Sequence, residues 1–439
     1  MPQSVSALGR FALVGLFATV PRLAVAVRIH GLEHDARAPR TFYAITHKRD
    51  FDAFVPVPLL IKHWGWRSLV RDLHFAMRAD GFQVGFLSRV VRRPPWFSQA
   101  LRPINVGPIL RGVGIHPLDS LHLRPAESWI REALRLDGKL TVGELIAPDL
   151  LQMLAEQTQQ SVEALAARPA STLLAWRYFP LLQTEVGSEI FTPAFRRRAE
   201  LRVLATAKEQ LADCVEWLRQ GGSLYTAPEG VLSLDGRLSP FRAGLTRIVR
   251  AAPADTRIQP VAIIYDYITL GRVRMWIDLA PAIEGGTALT NHELEQTLRA
   301  AWFSVARFTC TQLASGLLMS RYEQGQRATR TGELEAGILA WARDLFAAGR
   351  NVDPALLTEE GVHHRLAAYL TYAELRGIVR QYGTWVVLAL GRPAEINVLP
   401  GDVGYRNAPL RYAANEAREM AEATGMADLA PRAAKRLAM

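Results

Sequence analysis

Alternating strand and helix signals predict an α/β fold, with a largely parallel sheet covered by helices, a helical insertion and a helical C-terminal extension. Three observations carry that prediction. Short runs rich in β-branched and aromatic residues, Thr41–Thr46, Ser223–Ala227 and Gln259–Asp266, read as buried strands. Stretches with helical spacing separate them, and strands joined through helices pair in parallel with both faces covered. The chain has 439 residues, 49% hydrophobic and 21% charged, a globular composition able to bury a core unaided in two or three domains, or in one with insertions.

The elements follow in chain order. The apolar stretch 11–20 is interrupted by Pro21 and Arg22 before 23–27 resumes, short of the roughly 20 uninterrupted apolar residues that span a bilayer. With Arg10, Arg22 and Arg28 among apolar residues, 1–27 fits best as an interfacial membrane anchor. A leader cleaved near Ala24-Val25-Ala26, a short span and an ordinary buried helix are the alternatives. Thr41–Thr46 is the first core strand, and Asp50 or Asp52 is placed to cap a following helix. From Lys62 to Arg111 nine basic residues, Arg89, Arg92 and Arg93 among them, stand against Asp72 and Asp80, a surplus of +7. Trp64, Trp66, Trp96 and Phe97 are interleaved with them. Such a segment suits an anionic lipid surface, at about 1 kcal/mol per basic residue, or is a solvated basic face over core tryptophans.

Residues 103–118, punctuated by Pro and Gly, predict a strand with its turns. Pro148 suits a helix start, and Leu150, Met153 and Leu154 with Val162 and Leu165 make 138–198 a helical insertion. Leu204, Ala207, Leu211, Val215 and Leu218 keep helical spacing over 199–220, which Gly221-Gly222 ends. Beyond 290 the pattern is mostly helical, with Asn291 as a cap and Gly383 as a stop. The resulting division is an anchor at 1–27, an α/β core of 28–137 and 199–290, an insertion at 138–198 and an extension at 291–439.

Several function classes fall away. The net charge of +10 points to anionic partners, but neither a zinc-finger spacing nor an RNP-like string is present, so no nucleic acid is expected. Cys214 and Cys310 are the only cysteines, too few for a disulfide framework, and Cys214 falls on the apolar face of its helix as a core thiol. No metal site is expected: His292-Glu293 lacks the second histidine of a helical zinc site, and His363-His364 would point about 100° apart on a helix. Gly112-Val113-Gly114 lacks the rest of a dinucleotide fingerprint, and no Walker string or G-x-S-x-G elbow occurs.

The informative string is Thr46-His47-Lys48-Arg49-Asp50-Phe51-Asp52, where a strand ends. A histidine there reaches the carboxyl end of the sheet, where α/β folds bind ligands. A carboxylate five residues on can hold one ring nitrogen and leave the other to take a proton from a hydroxyl. Taken alone, this H-x-x-x-x-D spacing is also compatible with a structural histidine.

A second string alters that balance: Ala227-Pro228-Glu229-Gly230-Val231-Leu232-Ser233-Leu234-Asp235-Gly236-Arg237-Leu238-Ser239-Pro240-Phe241-Arg242-Ala243-Gly244. With H-x-x-x-x-D it resembles the glycerolipid acyltransferase superfamily, of the 1-acylglycerol-3-phosphate acyltransferase type. Gly114-Ile115-His116-Pro117-Leu118-Asp119 resembles that family's second block, and Pro260-Val261-Ala262-Ile263 its fourth. The resemblance implies acyl transfer from acyl-CoA or acyl carrier protein, as co-substrate with no other cofactor, to a hydroxyl of a glycerophospholipid precursor. It makes His47 the general base and Asp52 its orienting partner, and places Glu229, Gly230, Arg242 and Pro260 at the substrate. It further implies work among membrane lipids, at the cytoplasmic face of a membrane, peripherally or monotopically held; the oligomeric state stays open. Two departures bear on the acceptor. Ser120 and Val231-Leu232 stand where the family carries arginines tied to the acceptor's phosphate. Arg242, or Arg111, Arg124 or Arg237, compensates, or else the acceptor hydroxyl carries no phosphate. A transacylase and a non-catalytic lipid-binding scaffold are the remaining alternatives.

Overall fold

The computed structural model describes residues 25–35, 39–48, 52, 73–90, 95–112, 114–119, 124–175, 178, 182, 184–230, 232–389 and 408–426. The anchor segment 1–24, Asp50, Trp64, Trp66, Arg92, Arg93, Ser120 and Val231 lie outside the described residues, as does the side chain of Arg89. The described residues form two compact units, one of Phe75–Cys214, the other of those before Phe75 and after Cys214.

The unit carrying His47 is built on five strands in the order Val25–His30, Val273–Leu279, Arg257–Asp266, Thr41–Ile45 and Ser223–Thr226. All neighbours run parallel except Arg257–Asp266 and Val273–Leu279, which are antiparallel. Thr41–Ile45 pairs on both edges and every residue of it is buried, which explains an unbroken apolar run in place of alternation. The expected strands hold, with the third starting at Arg257.

Helices after residue 290 pack in this same unit. Asn291–Val305 buries Leu294, Leu298 and Trp302, and the Trp302 indole N–H donates to the Ala44 carbonyl at 3.1 Å. Its cap is Thr290 rather than Asn291. The Thr290 hydroxyl and the Glu293 carboxylate exchange bonds with each other's backbone N–H, a reciprocal box that a threonine followed three residues later by glutamate specifies. Gly383 does not end a helix. At φ 61° it turns the hairpin Val379–Tyr382/Trp385–Leu388, which joins Ala328–Arg330 in a three-stranded antiparallel sheet. The extension is therefore helical with a small sheet, because Trp385-Val386-Val387-Leu388 prefers the pleated state.

In the other unit Phe75–Arg78, the greater part of the strand Leu73–Arg78, pairs in parallel with Ile115–Leu118, Phe75 opposite Ile115. A short helix, Gly107–Gly112, precedes that second strand where only turns were expected. Residues 138–198 do form helices, Val142–Leu145, Pro148–Gln157 and Val162–Ala166, closed over Trp129, Leu145, Leu154, Leu165, Leu173, Phe191 and Phe195. Each of those leucines, fully removed from water, stabilises by about 1.5–3 kcal/mol. Pro193–Arg219 is the long helix, with Cys214 buried on its inner face and its thiol pushed up to about 12 by burial.

Candidate active site

Thr46 sets the point where the chain leaves the sheet. Its N–H donates to the Val261 carbonyl at 3.2 Å and its hydroxyl accepts from the Ile263 N–H at 2.9 Å, so the side chain carries the pairing one residue past the strand. His47 follows at the carboxyl end.

The His47 ring presents Nδ1 to Asp52 Oδ2 at 3.3 Å. Asp52 is fully buried and accepts two further bonds, from the Lys48 N–H at 2.5 Å and from the Tyr265 hydroxyl. A carboxylate held by those donors keeps one orientation, and a proton on Nδ1 leaves Nε2 as the basic nitrogen. The imidazole itself keeps 25% of its side-chain surface open, enough to meet a substrate while its partner stays dry. Tyr225 lies within electrostatic reach of the same carboxylate, and burial together with that negative charge drives its phenol well above the ordinary range.

The second string closes around this pair through backbone groups. Glu229 is wholly buried, and its two oxygens accept from the His47 N–H at 3.0 Å and the Ser239 N–H at 2.8 Å. Burial pushes its carboxyl above the usual range, opposed by the Lys48 charge and those two N–H groups. The His47 carbonyl accepts from the Ser233 N–H at 3.2 Å. Gly230 turns at φ 64°, where a Cβ would stand 3.0 Å from Arg242 Cγ. The Arg242 side chain lies along this turn, its Nε donating to the Glu229 carbonyl at 3.2 Å, with burial lowering the guanidinium's affinity for its proton.

Of the residues expected at the substrate, Glu229, Gly230 and Arg242 thus come together with His47, with Glu229 acting on the backbone. Pro260 lies buried in its strand with its Cα opposite that of Ala44, and its carbonyl accepts from the Ala280 N–H at 3.1 Å. Tyr265 escaped the sequence reading, although a tyrosine next to last in a core strand that ends beside His47 is a usable signal.

The other unit holds a cavity of about 230 Å³ lined by Arg111, Asp119, Arg124, Glu132, Arg135 and Arg202, among others. Arg124 pairs with Asp119, while Arg202 and Arg135 share Glu132 at 2.5 Å and 3.3 Å. Arg111 sits 5.4 Å over the Phe82 ring and pairs with no carboxylate among the described residues. Four guanidiniums against two carboxylates leave this lining with a surplus of two positive charges.

Residues 176–264 match the family model Acyltransferase. The chain carries an acyltransferase domain of the glycerolipid acyltransferase family. The matched stretch takes in the 227–244 string and Pro260–Ile263 and begins after His47 and Asp52. No curated protein matches the chain. The match supports acyl transfer as the activity of this domain.

Proposed function

We propose that the chain transfers a fatty acyl group from a thioester, acyl-CoA or acyl carrier protein, to a hydroxyl of a phosphorylated glycerolipid precursor. The observation that carries this reading is the partly open His47 imidazole backed by the buried, hydrogen-bonded Asp52 carboxylate. His47 Nε2 takes the proton of the acceptor hydroxyl as its oxygen attacks the thioester carbonyl. The tetrahedral intermediate expels the thiolate, and the imidazolium returns the proton to sulfur, leaving an ester and a free thiol. An activated acyl donor makes positioning and base catalysis sufficient for much of the rate.

A phosphorylated acceptor suits Arg242, whose guanidinium lies along the Gly230 turn beside His47. Membrane contact is favoured by exposed apolar residues over 95–109: Trp96 at 68%, Ile109 at 50%, with Phe97 and Ile104 beside basic Arg102 and Arg111. Among the described residues no helix is long and apolar enough to cross a membrane.

The test is an assay of the purified chain with labelled acyl-CoA or acyl carrier protein against glycerol 3-phosphate, lysophosphatidate and monoacylglycerol. The reading expects one thiol released per ester formed, with phosphorylated acceptors preferred. Equal use of monoacylglycerol would move the acceptor to the uncharged class, and thioester-independent transfer between phospholipids would make the chain a transacylase.

A further inference from the structure

The helix Pro409–Ala423 lies far along the chain from the family match, yet it reaches the backbone that carries His47. Lys48 is buried, and its ammonium donates to the Gly236 carbonyl at 2.8 Å and meets Glu416 Oε1 at 3.5 Å. The other oxygen of Glu416 accepts from Gln312 Nε2 at 2.7 Å. The Tyr412 hydroxyl donates to the Lys48 carbonyl at 3.2 Å. Further along the helix, Asn415 Nδ2 donates to the Asp235 carbonyl at 2.9 Å, and Glu419 accepts from the Leu238 N–H at 2.8 Å. Gly236 packs so closely that a Cβ there would stand 2.0 Å from the Tyr412 carbonyl oxygen.

We infer that this helix is a positioning element for the active site, acting through Lys48, Tyr412 and Glu416 on the His47–Lys48 backbone and the 229–239 loop. The accounting of polar groups supports it. The His47 N–H goes to Glu229 and its carbonyl to Ser233; the Lys48 N–H goes to Asp52 and its carbonyl to Tyr412. All four backbone groups are satisfied, and the last requires the C-terminal helix. The Lys48 ammonium then ties the loop, through Gly236, to the same helix. A buried lysine one residue from the base is costly unless paired, and Glu416 is the partner that the helix supplies. None of these side chains touches a reacting atom. Their action is to fix where the imidazole sits, and a misplacement of about 1 Å costs a reaction of this kind about 100-fold.

The inference rests on the acyl-transfer reading for its kinetic arm only. The test compares the full-length wild-type chain with Lys48→Met/Glu416→Leu, which removes both charges together, and with Tyr412→Phe, which removes one hydroxyl. Folding is followed by circular dichroism and thermal melting. The expected result for the folded double variant is a kcat about 100-fold down with KM within about twofold, the pattern of lost positioning rather than lost binding. Tyr412→Phe moves kcat in the same direction by less. In parallel, the imidazole proton–nitrogen NMR spectrum of His47, assigned by comparison with His47→Gln, should lose its Asp52-bonded Nδ1 proton signal in the double variant. A folded double variant with wild-type kcat, or with an unchanged His47 spectrum, overturns the inference. If the double variant does not fold, the spectrum and kcat of Tyr412→Phe decide it, and no change in either overturns it. A wild-type chain that transfers no acyl group fails the functional reading instead, and the spectrum still decides the positioning.

Discussion

The His47 neighbourhood and the arginine-lined cavity solve opposite problems with the same polar side chains. Around His47 the polar groups among the described residues are mostly buried and bonded: Asp52 meets the imidazole, the Lys48 N–H and the Tyr265 hydroxyl, Glu229 holds two backbone N–H groups, and the imidazole stays partly open. In the cavity the charges are unequal in number, and Arg135 and Arg202 are mostly or half exposed and share one carboxylate. A reacting atom needs one position, and position comes from saturating the bonds around it. A ligand anion needs unspent charge, and charge comes from leaving guanidiniums in excess. Substitutions should therefore change rate in the first region and affinity in the second.

The largest effect expected is at the imidazole. His47→Ala should lower acyl transfer about 1,000-fold, within the range for a lost general base, with circular dichroism and melting temperature unchanged. Loss of fold along with activity would make His47 structural.

Next is Glu229→Gln, which leaves an amide that can accept from the His47 or Ser239 N–H but not both. The stranded N–H should cost about 1–3 kcal/mol in denaturant titration, and kcat should fall while KM holds. A variant as stable and active as wild type would contradict the tie.

Arg111→Gln should act in the other way, weakening the binding of glycerol 3-phosphate to the cavity about tenfold by calorimetry, the worth of a lost charge-assisted contact, with kcat and the melting temperature kept. KM for monoacylglycerol should not move. A fall in kcat alone would remove the distinction between the regions.

The smallest effect is a control away from both. Burial pushes the Asp278 carboxyl up from 3.8 to about 6 despite Arg307 at 3.0 Å. A raised acid favours the fold in its protonated form, so its contribution is full below about pH 4 and is lost as pH rises through about 6. Asp278→Asn should flatten the melting temperature across that window and leave the pH dependence of acyl transfer alone.

How much was legible in the sequence follows from distance along the chain. His47, Asp52, Glu229, Gly230 and Arg242 lie in two short strings, and it is the resemblance of those strings to the family's blocks, not spacing alone, that groups them. The core strands were legible because burial on both faces writes a continuous apolar run. Pro260 belongs to a string of the same kind, but its position within the sheet, not its neighbours in sequence, keeps it in the core. Tyr265, Tyr412 and Glu416 reach Asp52 and Lys48 across more than 200 residues, through packing that no local pattern encodes. The cap at Thr290 was readable in principle, since Glu293 follows at the required interval; the asparagine beside it drew the assignment one residue too far. Gly383, expected to stop a helix, instead forms the turn of a hairpin, because a glycine at positive φ serves either end of an element equally well.

The most direct test of the account is a single-turnover assay in which thiol release and ester formation are followed together for wild type and His47→Ala. The wild-type chain should release one thiol per ester made. The folded variant should form essentially no ester. An unchanged rate of ester formation in His47→Ala would contradict the assignment of this imidazole as the group that takes the acceptor's proton.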